Sequence, residues 1–109
     1  MGGEKAGLVE VAIGDISLTV SSGRDQAWYQ QRHVFEEVTS LLYPLLSRMG
    51  VRCVIDVGAN YGIIGILAGR HLPGASVVCV EADPGLVRLI GENFARNNLD
   101  PPQIFHAIA

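Results

Sequence analysis

Two short apolar runs constrain this chain more than any other feature: Arg52-Cys-Val-Ile-Asp-Val57 and Ser76-Val-Val-Cys-Val-Glu81. Neither alternates with period two, and both are rich in valine. Such runs suit parallel strands buried on both faces. Each is followed by a segment of helical character. Gly58–Gly62 reads as a loop, Ile63–His71 as an apolar helix, and Pro73-Gly74 as its stop. After the second run, Asp83 stands as an N-cap with Pro84 at the first helical position. Leu86, Leu89, Ile90 and Phe94 give that helix a buried stripe up to Asn97. Asn97-Asn98 and Asp100-Pro-Pro form an exit loop into a third strand, Gln103–Ile108. Strands alternating with helices imply βαβ units with right-handed crossovers. The expected fold is therefore α/β and Rossmann-like.

Ahead of this core, Leu8–Val20 reads as a β-hairpin turning at Gly14-Asp15. Val34–Met49 has the strongest helical period: Val34, Val38, Leu41, Leu42, Leu45, Leu46 and Met49 fall on one face. Pro44 inside it is expected to kink or split the helix. Gly50 is a natural C′ residue. The expected division is a hairpin extension over residues 1–30 and the N-terminal half of a cofactor-binding domain over 31–109. A doubly wound sheet usually has about five to six strands. The expectation is thus a sheet truncated after its third parallel strand, with an exposed edge open to self-association or to a partner.

Composition narrows the function. At 49% hydrophobic and 17% charged residues the chain forms a core. Its formal charge is -3 and it has no Lys/Arg block, which does not support a nucleic-acid footprint. No run is apolar enough to be a bilayer span. Cys53 and Cys79 read as buried thiols, no Cys/His cluster suggests a metal, and a cytoplasmic location is expected. Glu36, in the first turn of its helix, reads as a surface carboxylate suited to the dipole. Trp28 and Tyr29 read as core or hairpin anchors.

The chemistry is carried by Asp56-Val-Gly-Ala-Asn-Tyr-Gly62, between a strand and a helix. Gly58 permits a tight turn and close approach of a ligand. Gly62 is expected to allow close packing where the helix begins. Asp56 and Glu81 both end strands at the side where ligands bind in open α/β sheets. Glu81 can accept hydrogen bonds from ribose hydroxyls, as the acid of dinucleotide folds does. The glycines run G-x-x-x-G-x-x-G, not the G-x-G-x-x-G of a pyrophosphate site. An acid two residues before the first glycine repels pyrophosphate and suits a sulfonium and an ammonium. The pattern favours S-adenosylmethionine. Tyr61 either covers the cofactor or packs. Gly65 and Gly69 share a helical face, which points to close packing on the sheet.

Val54-Ile-Asp-Val-Gly-Ala-Asn-Tyr-Gly62, Val80-Glu-Ala-Asp-Pro84 and Glu92-Asn-Phe-Ala-Arg-Asn-Asn-Leu99 resemble the FkbM family of S-adenosylmethionine-dependent methyltransferases. The resemblance implies a class I methyltransferase fold. It implies that Asp56, Gly58, Asn60 and Gly62 line the methionine end, that Glu81 holds the ribose, and that Ala107 lies near the adenine. With Ala59, Tyr61 and Ala82 these make the expected cofactor-binding set. Ala82 departs from the family, which usually has proline there. The resemblance further implies O-methyl transfer to a small molecule or sugar. No catalytic residue is assigned. Two other readings stand beside this one: a non-catalytic remnant or binding module, and an NAD(P)-binding oxidoreductase domain, against which the glycine spacing argues.

Overall fold

The computed structural model describes residues 7–21 and 33–108, with side chains left out over residues 33–39. Strands β1 (Leu8–Ile13) and β2 (Ile16–Ser21) form an antiparallel hairpin. Helix α1 (His33–Arg48) follows. Then come β3 (Cys53–Val57), α2 (Ile63–His71), β4 (Ser76–Glu81), α3 (Pro84–Arg96) and β5 (Gln103–His106). The last three strands form a parallel sheet in the order β3-β4-β5. The expected α/β architecture and the preceding hairpin are both present. Trp28, Tyr29 and the side chain of Glu36 lie outside the described residues.

The core lies on one side of this sheet. Val77, Cys79 and Ile104 face helices α2 and α3, whose Ile66, Leu67, Leu89, Ile90 and Phe94 are buried. Helix α2 lies close to the sheet because of Gly65. A Cβ there would sit 2.9 Å from Phe94, 3.1 Å from Val77 and 3.3 Å from Cys79. Gly69 instead makes room for Leu99, 3.1 Å from where its Cβ would be. The hairpin closes the other side of the helices with Val11, Ile13, Ile16, Leu18 and Val20, all buried. Arg70–Asp15 (2.5 Å) and Arg96–Glu10 (2.6 Å) pin its rim, although ion pairs this exposed contribute little.

Four expectations need correction. The strands are not buried on both faces: Ile55 is 63% exposed, Val57 58% and Phe105 49%, on the side away from the helices. Cys53 shares that side and is exposed, so only Cys79 behaves as a buried thiol. Pro44 does not split α1, which runs unbroken from His33 to Arg48. Pro44 is exposed, so the one intrahelical bond that proline removes lies on the solvent side of the helix. Nor is most of the described leucine stripe of α1 buried: Leu41, Leu42, Leu45 and Met49 are exposed, and only Leu46 packs against the core. The helix also docks by a residue outside the stripe, Tyr43. Its ring stacks on His71 at 5.2 Å and its hydroxyl donates to Ile64 O at 3.5 Å. No helix among the described residues is long and apolar enough to cross a membrane.

Candidate functional site

The carboxyl ends of β3, β4 and β5 meet, and the loops leaving them carry the site. β3 ends at Val57 and the chain turns at once. Gly58 (φ 74°), Asn60 (φ 58°) and Gly62 (φ 94°) are all left-handed, a conformation that side-chain-bearing residues resist. Gly62 is needed for this φ and not for packing. A Cβ there would meet nothing closer than 3.5 Å, and the close approach expected at Gly62 occurs at Gly65.

The turn is stitched to β4. The N–H groups of Gly58 and Ala59 both donate to Val80 O, at 2.9 and 3.1 Å, and that of Gly62 donates to Ala59 O at 2.9 Å. The N–H of Asn60 donates to Glu81 Oε1 at 2.7 Å. Glu81 Oε2 accepts from the N–H groups of Ala82 and Asp83, both at 3.1 Å. A carboxylate offers about four lone-pair sites, so Glu81 keeps capacity for a further donor. Asp83 caps α3 by accepting from the N–H groups of Gly85 and Leu86, which accounts for its presence.

Asp56 lies opposite Cys79 in the strand register. Its Oδ2 is buried and has no hydrogen-bond partner. Burial, and then the negative charge of Glu81, push its carboxyl above the usual carboxylate range. Its own charge acts on its neighbours. Tyr43 is raised by burial and then by Asp56, and Cys79 is pushed up to about 12 by the same two causes in that order. The Cys79 thiol is therefore inert at neutral pH. A buried carboxylate oxygen without a partner is costly, and a cation placed beside it relieves that cost.

The sign of the resulting pH dependence is fixed. An acid whose pKa is raised by folding holds its proton longer in the native state, so stability falls as pH rises through the carboxylate range. Asp56→Asn is therefore expected to raise the melting temperature at pH 7. The gain should shrink as pH falls toward 4, measured by thermal melts of both proteins across that range. A constant gain, or none, would remove Asp56 as the source.

A cavity of about 180 Å³ opens at this end of the sheet, lined by Gly58, Glu81, Ala82 and Ala107 between Val57 and Val80. Asn60 joins it through Glu81. Asp56 lies beneath, on the helix-facing side of the sheet. Ala59 and Tyr61 are each 3% exposed, so both lie beneath the turn's surface. The Tyr61 hydroxyl instead accepts the N–H of Ser21 at 3.2 Å. A larger hollow, about 410 Å³, lies between Gly69, Phe94, Leu99 and Gln103 at the amino ends of β4 and β5. Ligands of open α/β sheets bind at the other end, where the smaller cavity has Glu81 in its wall.

Two residues here escaped the sequence reading. His106, opposite Glu81 in register, places Nε2 2.8 Å from Ala82 O. Its strand parity with Glu81 was the available signal. Asn93 is fully buried beneath the turn, and its place among Leu89, Ile90 and Phe94 in the apolar stripe was the clue. Among the described residues no group of three or more His, Cys, Asp or Glu is placed to hold a metal ion.

Comparison with known proteins agrees with this geometry. Residues 29–108 match the family model of the methyltransferase small domain. The ribosomal protein L11 methyltransferase of Porphyromonas gingivalis is 40% identical over 65 residues, which are 58% of this chain and 22% of that protein. The cobalt-precorrin-6B C(15)-methyltransferase (decarboxylating) of Salmonella typhimurium is 35% identical over 68 residues, 60% of this chain and 35% of that one. Among solved structures, the Pyrococcus abyssi tRNA (uracil-54, C5)-methyltransferase in complex with S-adenosyl-L-homocysteine superposes with a TM-score of 0.63 at 17% identity. That match covers 94% of this chain and 24% of the other, and it shows the class I methyltransferase fold. The chain thus spans about a third or less of the curated relatives named.

Proposed function

Because the chain belongs to the methyltransferase small domain family, we propose that it binds S-adenosylmethionine at the carboxyl ends of β3, β4 and β5 and serves methyl transfer. The observation that carries this is the carboxylate pair. Asp56, whose Oδ2 is buried and orphaned, and Glu81, at the cavity wall, flank a turn in which the N–H groups of Gly58, Ala59, Asn60 and Gly62 are already bonded. Such a site suits a ligand that brings positive charge and hydroxyl donors, and it fits poorly to one that brings phosphates.

In this reading Glu81 accepts from a ribose hydroxyl with its remaining lone-pair capacity. Gly58, Ala82 and Ala107 bound the cavity for the base. Asp56, Asn60 and Gly62 form the methionine end, with Ala59 and Tyr61 contributing backbone. When bound, the cofactor supplies a methyl group on positively charged sulfur. The chain's part is to hold and orient it, and positioning of this kind supplies much of the rate in group transfer.

For the acceptor, the proposal is an oxygen of a small molecule or sugar. The likeness of Asp56–Gly62 to the FkbM pattern and the net charge of -3 support it. The proteins named above act, by their names, on a ribosomal protein, a cobalt-precorrin and tRNA, so the acceptor differs among them. The division into a hairpin extension over 1–30 and half a methyltransferase domain over 31–109 belongs to the same proposal. So does a cytoplasmic location, supported by free Cys53 and Cys79. The outer edge of β3 has no strand partner among the described residues. It is the place for self-association or a partner strand.

Isothermal titration of the 109-residue chain tests the cofactor assignment. S-adenosylmethionine and S-adenosylhomocysteine are expected to bind, and NADH is not. Binding of NADH with neither of the others would overturn the assignment in favour of an oxidoreductase domain.

A further inference from the structure

A hairpin leaves a strand edge open unless something covers it. On β2 the edge residues are Ser17 and Thr19, and each meets one asparagine at the end of α3, Asn93 in its last turn or Asn97 at its C-cap. The N–H of Thr19 donates to Asn93 Oδ1 at 2.6 Å, and Asn93 Nδ2 donates to Thr19 O at 3.1 Å. The N–H of Ser17 donates to Asn97 Oδ1 at 2.9 Å, and Asn97 Nδ2 donates to Ser17 O at 2.6 Å. A side-chain amide carries the same donor and acceptor as a peptide group. Four residues apart on a helix, the two amides lie on one face and act in place of a third strand. Asn93 is 0% exposed and Asn97 6%.

The likeness ends at the second donor of each amide. Asn97 spends it within α3, on Asn93 O at 2.8 Å. Asn93 spends it on Tyr61 O at 2.9 Å, in the turn between β3 and α2. Tyr61 is held a second time by the hairpin, where its hydroxyl accepts the N–H of Ser21. Both bonds grip the residue between Asn60 and Gly62, the two neighbours held in left-handed conformation.

We propose that Asn93 is a positioning residue for this turn: it clamps the Tyr61 carbonyl to β2, so that the hairpin holds the turn in its binding geometry before any ligand arrives. The consequence for affinity rests on the reading of the turn as an S-adenosylmethionine site. The clamp itself does not. A turn ordered in advance spares the ligand the cost of ordering it, and the hairpin thereby becomes part of the site without touching the cavity.

Asn97 supplies the control, since it bonds the same strand edge and never reaches the turn. Asn93→Ala and Asn97→Ala are compared in the full chain by amide hydrogen exchange of the free protein and by titration with S-adenosylhomocysteine. Both variants should melt earlier than the parent. Only Asn93→Ala should speed exchange at Asn60, Tyr61 and Gly62 beyond the rise seen in the rest of the molecule. It should also weaken binding about tenfold, on the order of one lost hydrogen bond, while Asn97→Ala stays within about twofold. Equal effects of the two variants on those amides, or none, would overturn the clamp. If the parent binds no S-adenosylhomocysteine and Asn93→Ala still loosens the turn, the clamp stands and the cofactor assignment falls. Should Asn93→Ala fail to fold, Asn93→Asp, which keeps the side chain's size but replaces the Nδ2 donor to Tyr61 O, must speed the same amides. Unchanged exchange there also overturns the proposal.

Discussion

Replacing Glu81 with alanine is expected to weaken S-adenosylhomocysteine binding by about ten- to a hundredfold. A hydrogen bond to a charged acceptor contributes about 1.5–3 kcal/mol. One ribose hydroxyl on the carboxylate's remaining lone pair is therefore worth about one to two tenfold steps in affinity. The fold should survive the change. The N–H groups that Glu81 accepts belong to Asn60, Ala82 and Asp83, all exposed, so water can take over. Glu81→Gln should fall between the two. It keeps one carbonyl oxygen, but its amide nitrogen cannot accept from the N–H groups that the second carboxylate oxygen now serves. Calorimetry alongside a thermal melt separates the effects. A large loss of affinity with a small loss in melting temperature is the expected pair, and alanine binding as tightly as glutamate would remove Glu81 from the site.

The largest effect on stability is expected at Phe94. The ring is 2% exposed and fills the space Gly65 leaves, close also to Gly62. Phe94→Ala both loses the transfer energy of the ring and leaves a hole between α2, α3 and β4. Changes of this kind cost about 3–5 kcal/mol, against a total of about 5–15 kcal/mol for an ordinary domain. In a chain of this size each kcal/mol moves the midpoint by about 4–8 °C, so circular-dichroism melts should show a drop of about 15 °C or more. A shift of only a few degrees would mean that the neighbours collapse into the space.

These two residues also mark what the amino-acid order reveals and what it hides. Phe94 was legible because a helix face repeats along the chain, and the same repeat located Leu89 and Ile90. Glu81 was legible because it ends a strand directly ahead of a capped helix. The turn at Asp56–Gly62 was legible because its glycines serve φ angles that other residues avoid, though the reason for Gly62 was misplaced by one helical turn. Periodicity misled at α1. It shows that leucines share a face but says nothing of what covers that face, and among the described residues the helix docks with Leu46 and with Tyr43, which lies outside the stripe. The strands misled in the same way. Valine-rich runs imply burial on two sides, while the residues present cover only one. The asparagine seam was hidden for a different reason. Its partners are 74 and 80 residues apart, and a polar residue in an apolar stripe reads as an exception until its partner is seen.

The turn after β3 has one more consequence. Glycine-rich turns at helix starts are commonly anion receptors because their amides point outward and lack partners. In this one the amides of Gly58, Ala59, Asn60 and Gly62 are all taken, two by Val80, one by Glu81 and one by Ala59. Discrimination between cofactors is thus written into hydrogen-bond supply more than into glycine count. Editing the glycines to a dinucleotide spacing would leave those amides engaged. To make this turn accept a diphosphate, the seam between the turn and β4 would have to be unpicked first.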